Sequence, residues 1–442
     1  MNSPARYGAC ITSGAQDWQV FQQTGGFSDI ALAGTWTRHR LEFEPPLVFR
    51  PVAEGGVRVR ARMVHEENGR VIAGWQDGDV RDDGSWQLTL CGIPAGGPYR
   101  LETDMHYDGC DGLSVTRGDT LHFLGVGDIF VIAGQSNAAG RAREPVYDPP
   151  SHQVRQVRAN GQWGMATHPL ADETSAVFVG HYANANPGHS PFIAFAKQLS
   201  RALGYPIGLV MTAYGGAPLR WWNPRENGAL FDEMRSITEA YCPKVRGILW
   251  YQGEADAMEL TGDTYLERFS EFVASARAAF SCPSLPFFTV QLGRITNSAS
   301  AQLDLHWAYV REAQRKAAES LENVYVLPAI DLPLCDHVHL SAGGNLTLAR
   351  RLADCALGEL YGAPIAWRAP QVADAKACPD GRLLLTFSPI HAKLFLFYAN
   401  ADNLPFAMED EEGLTSPVEY EENGTDQLFL TFARPAKPGN RL

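Results

Sequence analysis

Apolar and polar positions alternate early in the chain. Val57, Val59, Ala61 and Met63 fall on one side and Arg58, Arg60 and Arg62 on the other, the period of a half-exposed strand. Asn68-Gly69 then turns the chain into Val71-Ile72-Ala73-Gly74-Trp75, which predicts a hairpin. Asp83-Gly84 before residues 85–90, and Pro94-Ala95-Gly96-Gly97-Pro98 before residues 99–103, repeat the scheme. Short strands separated by turn signals predict a β-sandwich over residues 1–122. Trp18, Trp36, Trp75 and Trp86 fall in this region and read mainly as core, with sugar stacking as the alternative.

The pattern changes near residue 123. Apolar runs of strand length, at residues 207–211, 247–251, 287–290 and 324–327, alternate with amphipathic helical segments at 191–203, 265–280 and 305–321. Such βα alternation over 123–362 implies a parallel sheet with helices on both faces. From 363 to 442 the pattern is β again, with strands expected at 383–387, 393–398, 418–420 and 428–432 and a turn at Asn423-Gly424.

Within the middle region, the strand at residues 128–133 runs into Gly134-Gln135-Ser136-Asn137-Ala138-Ala139-Gly140. A strand leading into a helix start can lift one hydroxyl above the sheet, while small neighbours admit a substrate. Ser136 is the candidate nucleophile. Far downstream, Asp336-His337-Val338-His339 follows another strand. There an Asp and a His three residues apart can meet, the carboxylate orienting an imidazole that takes the serine proton. His339 is therefore the base, Asp336 its orienting acid and His337 a bystander. No third ligand lies at a metal-binding spacing, so no metal or other cofactor is expected. Cys335, beside Asp336, is poorly placed for attack. The eight cysteines contain no Cys-x-x-Cys pair, which excludes a zinc ribbon or a redox motif.

Two more strand ends offer oxyanion donors. Residues 208–214 lead into Gly215-Gly216, where a backbone N–H can meet substrate, and residues 247–251 lead into Gln252-Gly253-Glu254, where the Gln252 amide can donate. Glu254 reads chiefly as a structural carboxylate for loop N–H groups, with substrate contact as its second role. All these segments follow strands, on the carboxyl edge where parallel sheets build active sites.

Gly-Gln-Ser-Asn at 134–137, Gly215-Gly216 and Trp250-Tyr251-Gln252-Gly253-Glu254 resemble the blocks of the sialate O-acetylesterase family, SGNH (GDSL-like) hydrolases related to acetylxylan esterases. The resemblance spans nearly the whole chain. It implies an α/β fold with a flavodoxin-like parallel sheet, flanked by an N-terminal β-sandwich and a small C-terminal β region. It implies Ser136 as nucleophile, His339 as base, Asp336 as acid, and Ser136, Gly215 or Gly216 and Gln252 around the oxyanion. Gln135 and Asn137, flanking the serine, become substrate-binding candidates. The wider superfamily places Asn where Gln252 stands, a departure that bears on the oxyanion assignment.

The formal net charge of −13 argues against nucleic acid and anionic membranes as partners. An acidic sugar would then need a local cation, and Arg141, Arg143, Arg220 and Arg294 follow the motif strands. With 45% hydrophobic and 20% charged residues the composition is that of a globular enzyme. The amino-terminal residues lack the apolar core of a secretory signal, so a cytoplasmic protein is expected, with secretion the alternative if a signal was removed. The expected activity is removal of O-acetyl groups from sialic acid. Acetylated plant polysaccharide is the runner-up substrate, and an inactive carbohydrate-binding protein is the reading from another class.

Overall fold

The computed structural model describes residues 7–38, 41–44, 48–51, 56–109, 112–158, 160–171, 187–298, 300–394, 396 and 404–442. The chain divides into two compact units, Met1–Leu357 and Gly358–Leu442.

In the first unit, Val57–His65 pairs with Val71–Asp77 around the Asn68-Gly69 turn, as the alternation predicts. A four-stranded sheet containing Gly8–Ser13, Phe27–Thr37 and Ser85–Pro94 faces these strands. Ile30, Leu32, Trp86 and Leu90 from one sheet and Val59, Met63, Leu101 and Leu124 from the other share one buried core. Trp86 belongs to that core, whereas Trp75 lies under Arg60 and Arg62, with guanidinium carbons 4.9 and 4.7 Å from its ring.

One strand, Gly112–Gly134, joins this sandwich to the catalytic sheet. Its first part pairs antiparallel with Gly96–Gly109. Its last residues pair in parallel with Ile207–Met211 on one side and Gly247–Tyr251 on the other. The boundary expected at 122/123 therefore falls inside a continuous strand. Beyond Gly247–Tyr251 lie Phe287–Gln291 and Val324–Pro328, also parallel. Counted in chain order, these five parallel strands lie 2-1-3-4-5, the doubly wound order of a flavodoxin-like sheet. Val154–Val157 extends the sheet beyond Ile207–Met211.

Ile207–Met211 and Gly247–Tyr251 are buried at every position, because helices cover the sheet. These helices include Phe192–Leu203, Tyr265–Ala279, Ala301–Ser320 and Ala342–Tyr361. Ala301–Ser320 starts four residues earlier than the apolar pattern predicts, because the Ser300 hydroxyl caps it by accepting from Leu303 N–H at 3.2 Å. Among the described residues, no helix is long and apolar enough to cross a membrane.

In the second unit, Gln371–Ala377, Leu383–Ser388, Gln427–Phe432 and Pro417–Asn423 form an antiparallel sheet in that order over Leu385, Leu428 and Leu430. The strand expected at 393–398 does not form at Lys393, Leu394 or Leu396. Leu394 N–H donates to the Thr425 carbonyl at 2.7 Å, outside any named strand pairing. Residues 395, 397 and 398 lie outside the described residues.

Candidate active site

Gly134 ends the long strand at φ 130°, where a Cβ would fall 2.1 Å from the Tyr251 carbonyl oxygen. Only glycine fits so close to the neighbouring strand. The chain then rises through Gln135 into the short helix Ser136–Ala139, which Ser136 opens half-buried. A residue at a helix start has no preceding turn to accept its N–H, so the Ser136 amide is left without a helical acceptor.

His339 Nε2 lies 2.9 Å from Ser136 Oγ, and His339 Nδ1 lies 2.7 Å from Asp336 Oδ2. A carboxylate only accepts, so Nδ1 carries the proton and Nε2 is left to accept from the serine hydroxyl. Asp336 Oδ1 also accepts from the N–H groups of Val338 and His339, at 2.8 and 2.7 Å. Burial alone would raise the Asp336 carboxyl; the bonds from His339 and Val338 outweigh it and hold it at about 2. It is thus an anion wherever His339 can act as base. His337 is exposed and contributes its carbonyl to Thr296 N–H at 3.0 Å. Burial and the Asp336 charge push the Cys335 thiol up, so it is a poor nucleophile.

Several candidates face inward instead. Asn137 is buried; it donates to Glu254 Oε1 at 2.7 Å and to the Val338 carbonyl at 3.2 Å, and accepts from Leu340 N–H at 3.0 Å. These bonds commit its side chain to the protein interior and hold the loop that carries His339. Gln135 Oε1 accepts from Ala255 N–H at 3.1 Å, capping the helix Glu254–Met258, so it too is structural.

Gln252 corrects the oxyanion expectation. Its Nε2 donates to Asp256 Oδ2 at 2.5 Å and to the Ala217 carbonyl at 3.1 Å, and its Oε1 accepts from Tyr265 O–H at 3.0 Å. With both amide hydrogens committed, it has none for an oxyanion. The reason is Asp256, which is fully buried, accepts from Leu219 N–H at 2.8 Å and pairs with Arg268 at 2.8 Å. A buried carboxylate needs several donors, and Gln252 is one of them.

Tyr214 N–H donates to the Gly134 carbonyl at 3.0 Å, which seats the Gly215-Gly216 turn beside the strand end that leads to Ser136. Gly216 is exposed at φ 72°. Glu254 is buried, and burial pushes its carboxyl up to about 7 despite the bond from Asn137. The structural reading of this residue fits its position better than substrate contact. Arg220 is paired with Glu259, Arg141 is bonded to the Gly140 carbonyl at 2.9 Å, and Arg294 donates to the Leu332 carbonyl at 3.2 Å. Arg143 and Arg294 are exposed.

The carbohydrate esterase family described as sialic acid-specific acetylesterase matches residues 126–358, which contain every element of this arrangement. The chain belongs to that family. By family it is a carbohydrate acetylesterase, a serine-type carboxylic-ester hydrolase. It is 29% identical to a probable carbohydrate esterase of Arabidopsis thaliana, over 52% of this chain and 90% of that one. It is 23% identical to the sialate O-acetylesterase of Rattus norvegicus, over 57% of this chain and only 58% of the rat protein. A carbohydrate acetylesterase from Xanthomonas citri superposes with a TM-score of 0.62 at 20% identity, over 97% of this chain and 92% of that one, and shares the fold.

Proposed function

We propose that this esterase removes acetyl groups from O-acetylated sialic acid through an acetyl-enzyme on Ser136. The observation that carries the mechanism is the continuous hydrogen-bonded line from Asp336 through His339 to Ser136. Ser136 Oγ attacks the acetyl carbonyl carbon as its proton passes to His339 Nε2. The oxyanion that forms is assigned to the amides of Ser136 and of Gly215 or Gly216. His339 returns the proton to the sugar oxygen as the carbon–oxygen bond breaks, leaving acetyl on Ser136. A water then gives a proton to His339 and attacks the acetyl carbon; the carbon–Oγ bond breaks, Ser136 Oγ takes that proton back and acetate leaves.

Sialate as substrate is supported by the family description and by the exposed Arg143 and Arg294, either of which suits a carboxylate. A second reading, neutral acetylated sugar, is favoured by the engagement of Arg220 with Glu259 and of Arg141 with a carbonyl. Acetate release from O-acetylated sialic acid and from acetylated xylo-oligosaccharide separates the two. Faster turnover of the sialate supports the proposal, and faster turnover of the xylo-oligosaccharide replaces it. Ser136→Ala should abolish both, leaving less than about a thousandth of the rate in a folded protein. Retention of a tenth or more of the rate would remove Ser136 from the mechanism.

A further inference from the structure

Behind the nucleophile turn lies a cluster that the mechanism above does not use. Asp148 Oδ2 is 2.9 Å from His168 Nε2 and 3.2 Å from His189 Nε2, and Asp148 Oδ1 is 2.6 Å from Lys197 Nζ. The ligand atoms of Asp148, His168 and His189 lie within 4.8 Å of one another, which at first sight is a metal-binding set.

The hydrogen bonds exclude that use. Asn345 Nδ2 is 2.9 Å from the His189 carbonyl oxygen and 3.4 Å from His189 Nδ1. A carbonyl oxygen only accepts, so the atom facing it is the amide nitrogen, and the same NH₂ group faces Nδ1. His189 Nδ1 is therefore the acceptor, and its proton sits on Nε2, aimed at Asp148. His168 Nδ1 is buried without a partner, so a proton there would be orphaned; its proton also sits on Nε2. Neither Nε2 offers a lone pair to a cation, and the Lys197 ammonium already occupies the other carboxylate oxygen. Burial opposes the Asp148 charge, but the bonds from His168, His189 and Lys197 hold its carboxyl well below the usual range.

The cluster joins both halves of the active site. Gly188 N–H donates to the Gly140 carbonyl at 3.1 Å and His189 N–H to the Ala142 carbonyl at 2.7 Å, directly after the nucleophile helix. Asn345 lies in the first turn of Ala342–Tyr361, just after the base loop. We infer that Asp148, His189 and Asn345 form a positioning relay. By holding His189 as its Nε2–H tautomer, the relay fastens the segment after Ser136 to the helix after His339. It rests on the roles assigned to Ser136 and His339, but its tautomer can be read without turnover.

Nitrogen-15 spectra of histidine-labelled protein test it, with His189 assigned by comparison with His189→Gln. The expected wild-type spectrum at neutral pH shows a protonated Nε2 and a bare Nδ1 for His189, unchanged by added zinc ion. Ser136→Ala should give the same spectrum, which separates this test from that of the nucleophile. Asn345→Asp places an acceptor against Nδ1 and should move a proton there. It should also lower kcat on a small acetate ester about ten-fold or more, with KM held within about two-fold. A bare Nε2 in the wild type, zinc-induced shifts of the His168 and His189 signals, or wild-type kcat in folded Asn345→Asp would overturn the relay. Should Asn345→Asp not fold, the wild-type spectrum and the zinc titration decide the matter.

Discussion

Asn137 and Leu340 stand 203 positions apart and share a hydrogen bond of 3.0 Å, while the Asn137 amide nitrogen holds the Val338 carbonyl on the other side of His339. The residue next to Ser136 thus grips the backbone on both flanks of His339. This side chain therefore ties the turn that carries Ser136 to the loop that carries His339.

Asn137→Leu keeps the number and branching of heavy atoms and removes three hydrogen bonds, stranding buried groups on Glu254, Val338 and Leu340. Each stranded group costs roughly 1–3 kcal/mol. The urea midpoint should fall, and kcat of the folded protein should drop about a hundred-fold with KM little changed. Wild-type kcat would show that the base loop holds itself.

Glu254 gives stability a pH dependence of unusual sign for a carboxylate. Its folded value, about 7, lies above the ordinary 4.5. The stabilisation from its proton is therefore complete below the unfolded value and is lost as pH rises through the folded one. Unfolding free energy should fall between pH 5 and 8 by up to about 3 kcal/mol. Glu254→Gln keeps an oxygen for Asn137 and cannot ionise, so its urea titrations should lose this slope. A slope identical to wild type would assign the effect to another group.

The two loop histidines should separate cleanly. His339→Ala removes the proton acceptor and should cost about a thousand-fold or more in kcat. His337→Ala, exposed and bonded only through its carbonyl to Thr296 among the described contacts, should keep most of the activity. Steady-state rates on a chromogenic acetate ester give the ranking, and the reverse order would move the base.

Arg143 and Arg294 are the first arginines to test, because both are exposed, whereas Arg141 and Arg220 are half-buried. Replacing the one that holds the sialate carboxylate by Ala should lower kcat/KM on O-acetylated sialic acid by roughly 1.5–3 kcal/mol of binding. A small neutral acetate ester should be turned over as before. If neither variant discriminates between the substrates, the neutral-sugar reading takes the lead.

The parallel sheet was legible because buried strands read as short apolar runs, and the contact of Ser136 with His339 because each stands in a short motif downstream of such a run. The Asp336–His339 pair is also local, three residues within one loop. What lay outside reach was contact between distant segments. Gln252 reads as a free amide until Asp256 and the Ala217 carbonyl are seen to claim its hydrogens. Asp148, His189 and Asn345 come from three separate stretches with no shared spacing, so no pattern along the chain announces them. The capping serine at 300 was a usable signal for an earlier helix start, since a Ser before a helical run accepts from the first turn.

The strand Gly112–Gly134 has a consequence for anyone who would shorten this enzyme. It carries the sandwich register Leu101↔Leu121 and, 13 residues later, the glycine that sets the serine turn. A fragment cut near residue 123 would begin midway along a paired strand, with the central strand of the catalytic sheet deprived of its antiparallel continuation. The β-sandwich is therefore continuous with the mounting of the Ser136 turn and not an appendage to be exchanged like a binding module. Any graft should carry it along and splice no earlier than the end of the helix Ala342–Tyr361.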